Sequence, residues 1–225
     1  MIDPLSLCFP YGSYLLNKLK QNYKIRLIVL GSEASGKTTL WKRLKEEKFG
    51  NMSYDPTVES KIEKFKVEID DDSTVIESTE DIGGGDDCVC FYDTLIKGHG
   101  TVIYYLVDLT NLKCREVRAR LLKISKIVEQ KEYKGCCCKI IATHYDKFEE
   151  NKVLSQENAA GKVKQLLDIR SITGMTLDIA DTVLAVNLNN NDDISRIKKD
   201  VMKIQEKTID RLINEGKTFL DDLFK

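Results

Sequence analysis

Gly31-Ser32-Glu33-Ala34-Ser35-Gly36-Lys37-Thr38 has the form Gly-x-x-x-x-Gly-Lys-Ser/Thr, a loop whose backbone N–H groups can wrap a phosphate. Its flanks decide whether that form carries chemistry. Before it, Lys24 to Leu30 (Lys-Ile-Arg-Leu-Ile-Val-Leu) is an apolar, β-branched run stopped by Gly31, which predicts a buried strand. After it, Thr38 to Lys48 sets Leu40, Trp41 and Leu44 at helical spacing among charged residues and ends at Phe49-Gly50, a glycine stop. Strand, glycine-rich turn and helix is the order that phosphate binding requires, because the helix N-terminus adds its partial positive charge. A helix that merely begins after a glycine turn would need neither the strand nor the spacing. The N–H groups of Glu33, Ala34, Ser35, Gly36 and Lys37 would then face the phosphates. Lys37 would reach the β- and γ-phosphates, the Thr38 hydroxyl would bind magnesium, and Thr39 would follow in the first helical turn.

Working outward, Phe65, Val67 and Ile69 alternate with charged residues, Asp70 to Ser73 supplies a turn, and Thr74–Thr79 resumes the extended pattern, a hairpin. Thr101–Leu109, Lys139–Thr143 and Thr182–Val186 read as further strands. Asn111 to Glu132 predicts a helix with Val117, Leu121, Ile124 and Val128 on one stripe, and Ser155–Ile169 another whose apolar face is Val163, Leu166 and Leu167. A closing helix starts near Asp192-Asp193, turns Ile194, Ile197, Val201 and Ile204 inward, and is expected to break at Gly216. Strands alternating with helices imply a three-layer α/β fold of the P-loop NTPase kind, with a mostly parallel central sheet of five or six strands.

Composition limits the function classes. The 225 residues are 42% hydrophobic and 32% charged, enough for one core and a solvated surface. Thirty-five basic against thirty-six acidic side chains leave a net charge of −1, so no bulk excess draws the chain to nucleic acid. No apolar run approaches the roughly 20 residues a membrane span needs. Seven cysteines, three of them consecutive at Cys136 to Cys138, suit neither a disulfide framework nor metal-ligand spacing, and alternate members are expected to be buried in a strand. Cys88-x-Cys90 has no second pair to complete a metal site. The start of the chain lacks the pattern of a secretory signal, which gives an expectation of a cytoplasmic location.

Beyond Lys37 stand Tyr54-Asp55-Pro56-Thr57 and, further on, Asp81-Ile82-Gly83-Gly84-Gly85. With these in place, over roughly Lys24 to Val201, the chain resembles the Ras-like small GTPase superfamily. The first segment resembles its switch I and the second the Asp-x-Gly-Gly-Gln opening of switch II in the Arf branch; an acidic residue at Glu33 tilts the same way. The resemblance implies a guanine-nucleotide switch binding GTP or GDP with Mg2+. Within it Thr57 is assigned to magnesium and the γ-phosphate, Asp81 to the magnesium shell, and the Gly84 amide to the γ-phosphate. Effector or regulator proteins are expected to meet switch I and switch II.

Three departures shape the expectation. The glutamine that orients the attacking water falls on Gly85, which has no side chain, so hydrolysis is expected to be slow unless Asp86, His99 or a partner substitutes. Third-strand residues Glu77-Ser78-Thr79-Glu80 are polar where the family has an apolar strand. The guanine motif Asn-Lys-x-Asp reads Thr143-His144-Tyr145-Asp146. Asp146 would accept from the guanine N1–H and 2-amino group, with Thr143 as a permitted variant and His144 against the base; the alternative is that Tyr145-Asp146-Lys147 only caps the next segment. The last guanine loop aligns with Val186-Asn187-Leu188-Asn189, the Leu188 amide facing the guanine oxygen.

The chain thus divides into an apolar lead at 1–23, a G domain at 24–213 and a helical tail at 214–225. Leu5 to Leu19 with nearby lysines resembles the amphipathic Arf N-terminal helix, interrupted by Pro10 and Gly12. With Ile2 in place of the myristoylated glycine and no cysteine near the C-terminal end, residues 1–20 would give at most weak membrane-surface contact, and packing on the domain or a partner serves equally. A pseudo-GTPase acting as a structural or adaptor subunit is the rival reading, and a phosphate-loop nucleotide kinase a third that leaves Tyr54–Thr57 and Asp146 unexplained.

Overall fold

The computed structural model describes residues 23–46, 59–70, 72–98, 100–133, 135–147, 155–168 and 183–223. Residues 1–22, the Tyr54–Thr57 segment and His99, on which expectations above rest, lie outside them.

The extended segment before the phosphate loop is two short strands, β1 (Lys24–Ile25) and β2 (Leu27–Gly31), divided by Arg26. Helix α1 spans Lys37–Leu44, ending four residues before the expected Lys48. Strands β3 (Glu59–Ile62), β4 (Phe65–Ile69), β5 (Asp72–Ile76) and β6 (Thr79–Ile82) follow. After a 3-10 turn at Asp86–Phe91 come helix α2 (Tyr92–Leu95), β7 (Val102–Asp108), α3 (Cys114–Gln130) and β8 (Cys137–Thr143). Helix α4 (Gln156–Leu166), capped by the Ser155 hydroxyl, β9 (Val183–Val186) and α5 (Asn191–Leu223) complete the order.

Strands β2, β7, β8 and β9 form a four-stranded parallel ladder, with Gly31 opposite Leu106, Asp108 opposite Thr143 and Thr143 opposite Val186. All four therefore end at one edge, where loops after parallel strands gather a ligand. The expected hairpin is β4 and β5, antiparallel with Ile69 opposite Asp72, and β5 runs parallel to β1. The polar third strand does not continue as one element. It stops at Ile76, skips Glu77 and Ser78, and resumes as β6, which pairs antiparallel with β3.

Alternation divides the core between two faces. Ile28, Leu30, Ile103, Tyr105, Val107, Ile140 and Ala142 meet Val117, Leu121, Ile124 and Val128 of α3, Ala159 and Val163 of α4, and its C-cap Leu167. Leu27, Val29, Val102, Tyr104, Leu106 and Ile141 meet Leu40, Trp41 and Leu44 of α1 and Ile194, Ile197, Val201 and Ile204 of α5. Cys136 and Cys138 are buried and Cys137 half-buried, the expected alternation. Two expectations are corrected. Leu166 is 43% exposed, because the buried face repeats every four residues through Ala159 and Val163 of α4 to its C-cap Leu167. Helix α5 runs through Gly216 without a break, since a lone glycine lowers helix propensity by only about 1 kcal/mol.

Candidate nucleotide site

The phosphate loop occupies the gap between β2 and α1 in a conformation most side chains resist. Gly31 has φ 150°, and a Cβ there would lie 2.3 Å from the Leu106 carbonyl oxygen of β7. Gly36, φ 90°, caps α1, and the Leu188 side chain closes over it where a Cβ would stand. Ala34 also takes a left-handed φ of 56°. The buried Ser35 hydroxyl donates to the Ser32 carbonyl at 2.8 Å, tying the loop to itself. Lys37 curls back over it, its Nζ donating to the carbonyls of Ser32 (2.9 Å) and Gly31 (3.3 Å). Burial pushes the Lys37 ammonium down to about 8, against the pull of Asp81. The first turn of α1 holds no acidic side chain, so its positive end is not neutralised locally. Glu33 is exposed on the loop, and Thr39 lies half-buried in the first turn.

In the first turn of α1, Thr38 Oγ1 donates to Asp81 Oδ2 at 2.6 Å. Asp81 is fully buried at the end of β6, its carboxyl pushed above the usual range by burial, and its Oδ1 has no hydrogen-bond partner. A hydroxyl and an orphaned carboxylate oxygen beside a loop of this form are the hard oxygen donors that magnesium takes with phosphate. These residues fit the ion.

Gly83, Gly84 and Gly85 lead away from β6. Gly84 packs so closely on the phosphate loop that a Cβ would fall 2.2 Å from both the Glu33 nitrogen and the Ser32 carbonyl carbon. Gly85 differs: its φ of −67° and ψ of 167° suit any residue, and nothing lies within 4 Å of a Cβ placed there. It borders a cavity of about 350 Å³ with Glu33, Asp86, Glu116 and Arg120.

The expected base loops converge on the same edge. Thr143 Oγ1 donates within reach of the Ser35 carbonyl (3.1 Å) and the Val107 carbonyl (3.2 Å), joining the end of β8 to the phosphate loop and to β7. His144, at φ 59°, sets its Nδ1 3.1 Å from Asp108 Oδ1, so its ring is engaged by the end of β7. Asp146 is exposed in the 3-10 turn Tyr145–Lys147 and accepts from Asn187 Nδ2 at 3.1 Å, bringing the two loops together. Leu188 is 7% exposed, its side chain serving the core over Gly36.

Two contributors escape the motif reading. Asp193, 1% exposed in the first turn of α5, accepts the Asn187 N–H at 2.7 Å and fixes that loop; an acid at a helix start was its only signal. Arg120 of α3 donates to the Gly84 carbonyl and to Asp86 Oδ1, each at 2.8 Å. Its signal was a cation three residues after Val117, within the apolar stripe.

No curated protein sequence matches the chain significantly. Among solved structures, the Arl6 (BBS3) small GTPase from Trypanosoma brucei, with a bound nucleotide analogue GppNp, matches with a TM-score of 0.58 at 16% identity over 84% of this chain and 99% of that one. The Methanosarcina barkeri Roco2 RocCORdC structure bound to GDP matches with a TM-score of 0.54 at 14% identity over 84% of this chain, which spans 50% of that longer one. At these identities the likeness is one of fold. A family model adds the sequence level: it matches residues 13–201, from before β1 into α5, and by that match the chain belongs to the ADP-ribosylation factor family.

Proposed function

We propose that the chain is a guanine-nucleotide-binding switch that takes GTP or GDP with Mg2+ and hydrolyses GTP slowly. The observation that carries this reading is the convergence, at one edge of the sheet, of the Lys37 loop, the Thr38–Asp81 pair and the Asp146–Asn187 pair. Phosphate, cation and base thereby have separate, adjacent receivers. Family membership and relatives solved with GDP and GppNp support the guanine assignment.

Thr38 and Asp81, joined by Thr57, would hold magnesium, which supplies charge neutralisation at the phosphates. Lys37 and the amides of Glu33 to Gly36 bind the phosphates, Gly84 receives the γ-phosphate, and Asp146 with the Asn187–Leu188 loop reads the base, while Thr143 holds the phosphate loop in register with it. Hydrolysis is in-line attack of water on the γ-phosphate with GDP as leaving group, negative charge being met by Lys37 and the loop amides. No side chain at Gly85 orients that water, which makes the step slow. Effectors and regulators meet the two switch segments; the setting is cytoplasmic, with residues 1–20 available for a weak membrane-surface contact or for a larger assembly.

A second reading, a pseudo-GTPase, nucleotide-loaded or empty, that acts as a structural or adaptor subunit of a larger assembly, is favoured by the bare Gly85. Identification of the nucleotide that co-purifies, then single-turnover hydrolysis of bound GTP, separates the two. Bound GTP with slow turnover supports the switch; bound GTP with none supports the scaffold; absence of guanine nucleotide and of micromolar binding overturns the switch and leaves the scaffold.

A further inference from the structure

Arg120 is 5% exposed on the face of α3 that packs against the sheet. A guanidinium rarely stays in such a place without acceptors, and although its Nε has none here, both terminal nitrogens are engaged. Here Nη1 donates to the Gly84 carbonyl at 2.8 Å, Nη2 reaches Asp86 Oδ1 at 2.8 Å, and Nη2 also meets Glu116 Oε1 at 2.7 Å one turn back on the same helix. Two of the three acceptors thus belong to the segment after Asp81, and the third holds the guanidinium in place. That segment is the one whose Gly84 lies against the Ser32–Glu33 peptide with no room for a Cβ. Gly85 beside it contributes no side chain, so the hold comes from α3. The buried hydroxyls of Tyr92 and Tyr105 flank the guanidinium; burial raises both, Tyr105 to about 12, so they stay neutral beside it.

We propose that Arg120 is a positioning residue that latches Gly84–Asp86 onto the phosphate loop and thereby sets the preference of the site for a nucleoside triphosphate over a diphosphate. A diphosphate does not extend to Gly84, whereas a γ-phosphate meets whatever backbone position Arg120 has fixed. The planar fork matters: two acceptors on different residues are held at once, which a single ammonium point charge cannot reproduce with the same geometry. The latch itself is a property of the nucleotide-free chain; the preference rests on the nucleotide reading above.

The test uses the full chain with Arg120→Met, Arg120→Lys and Asp86→Ala. Amide hydrogen exchange of residues 83–91 without nucleotide reads the latch, and the ratio of dissociation constants for GppNp and GDP reads the preference. Arg120→Met is expected to speed exchange at 84–86 about tenfold while β7 and β8 stay protected, and to weaken GppNp about tenfold with GDP changed less than twofold. Arg120→Lys should recover part of the GppNp loss. Asp86→Ala, an exposed site outside the core, should give a smaller shift in the same direction and serves where Arg120→Met does not fold. Unchanged exchange in the folded variants overturns the latch. Equal losses for both nucleotides overturn the preference and leave Arg120 a packing residue. If the wild type binds neither nucleotide, the nucleotide reading fails, and exchange alone decides the latch.

Discussion

Gly85→Gln tests the loss of the water-orienting side chain most directly. The backbone there is already in a region open to every L-residue, and no atom lies within 4 Å of the added Cβ. Nothing in the folded chain therefore opposes the glutamine, while the unfolded chain loses the extra freedom of glycine, a gain of about 0.4–1 kcal/mol. For a chain of 225 residues that is an increase in melting temperature of roughly 1–4 °C. The same open space leaves the carboxamide free to reach a water beside Gly84. A positioned group of this kind contributes at least about 10²-fold, or about 2.7 kcal/mol in the barrier. Single-turnover hydrolysis of γ-labelled GTP, with a thermal melt on the same samples, measures both. A melting temperature lowered by several degrees would refute the claim that Gly85 is sterically unconstrained. An unchanged rate in protein that retains GTP would refute its assignment to the water position.

Gly84→Ala has the opposite outcome. Its Cβ would fall 2.2 Å from two backbone atoms of the phosphate loop, so the segments must part, and triphosphate affinity measured by fluorescence should drop at least tenfold. Thr143→Val removes a hydroxyl that serves the Ser35 and Val107 carbonyls and should cost about 1–3 kcal/mol in denaturant unfolding, with faster exchange in residues 31–36. Chelation of magnesium should weaken GDP binding strongly in the wild type and barely further in Asp81→Ala; equal responses in a calorimetric titration would remove Asp81 from the metal shell. Among the cysteines, exposed Cys90 should react with a thiol reagent in the native state, whereas Cys138, fully buried and with its thiol pushed up by burial, should react only on unfolding, as peptide mapping would show.

What the sequence shows of this fold is what repeats locally. The buried positions of α1, α3 and α5 follow from their spacing, because a helix that packs on one side must repeat near every 3.6 residues. The phosphate loop is legible for the same local reason: its glycines, lysine and threonine act within eight consecutive residues. Arg120 was not, since its burial depends on acceptors at Gly84 and Asp86, more than 30 residues away in the chain. Leu166 was misplaced because Leu166 and Leu167 are alike as residues and differ only in the direction α4 turns them. The division of the third strand had a trace in Glu77-Ser78, yet the partner that β6 chooses, β3, is a matter of tertiary pairing. Asp146 and Asn187 likewise meet only because β8 and β9 end side by side.

The two-faced core also fixes where the ligand loops start. In β7, Tyr105 and Val107 serve one core while Tyr104 and Leu106 serve the other, and the Tyr104 hydroxyl donates to Asp200 of α5 at 2.6 Å. A slip by one residue would send each set into the opposite core and strand the Tyr104 hydroxyl away from its carboxylate. An open sheet with one wet face can absorb such an error on the solvent side; this one would have to repack both layers together. Strand ends at Gly31, Asp108, Thr143 and Val186 therefore act as surveyed reference points, their height along the sheet guarded twice over.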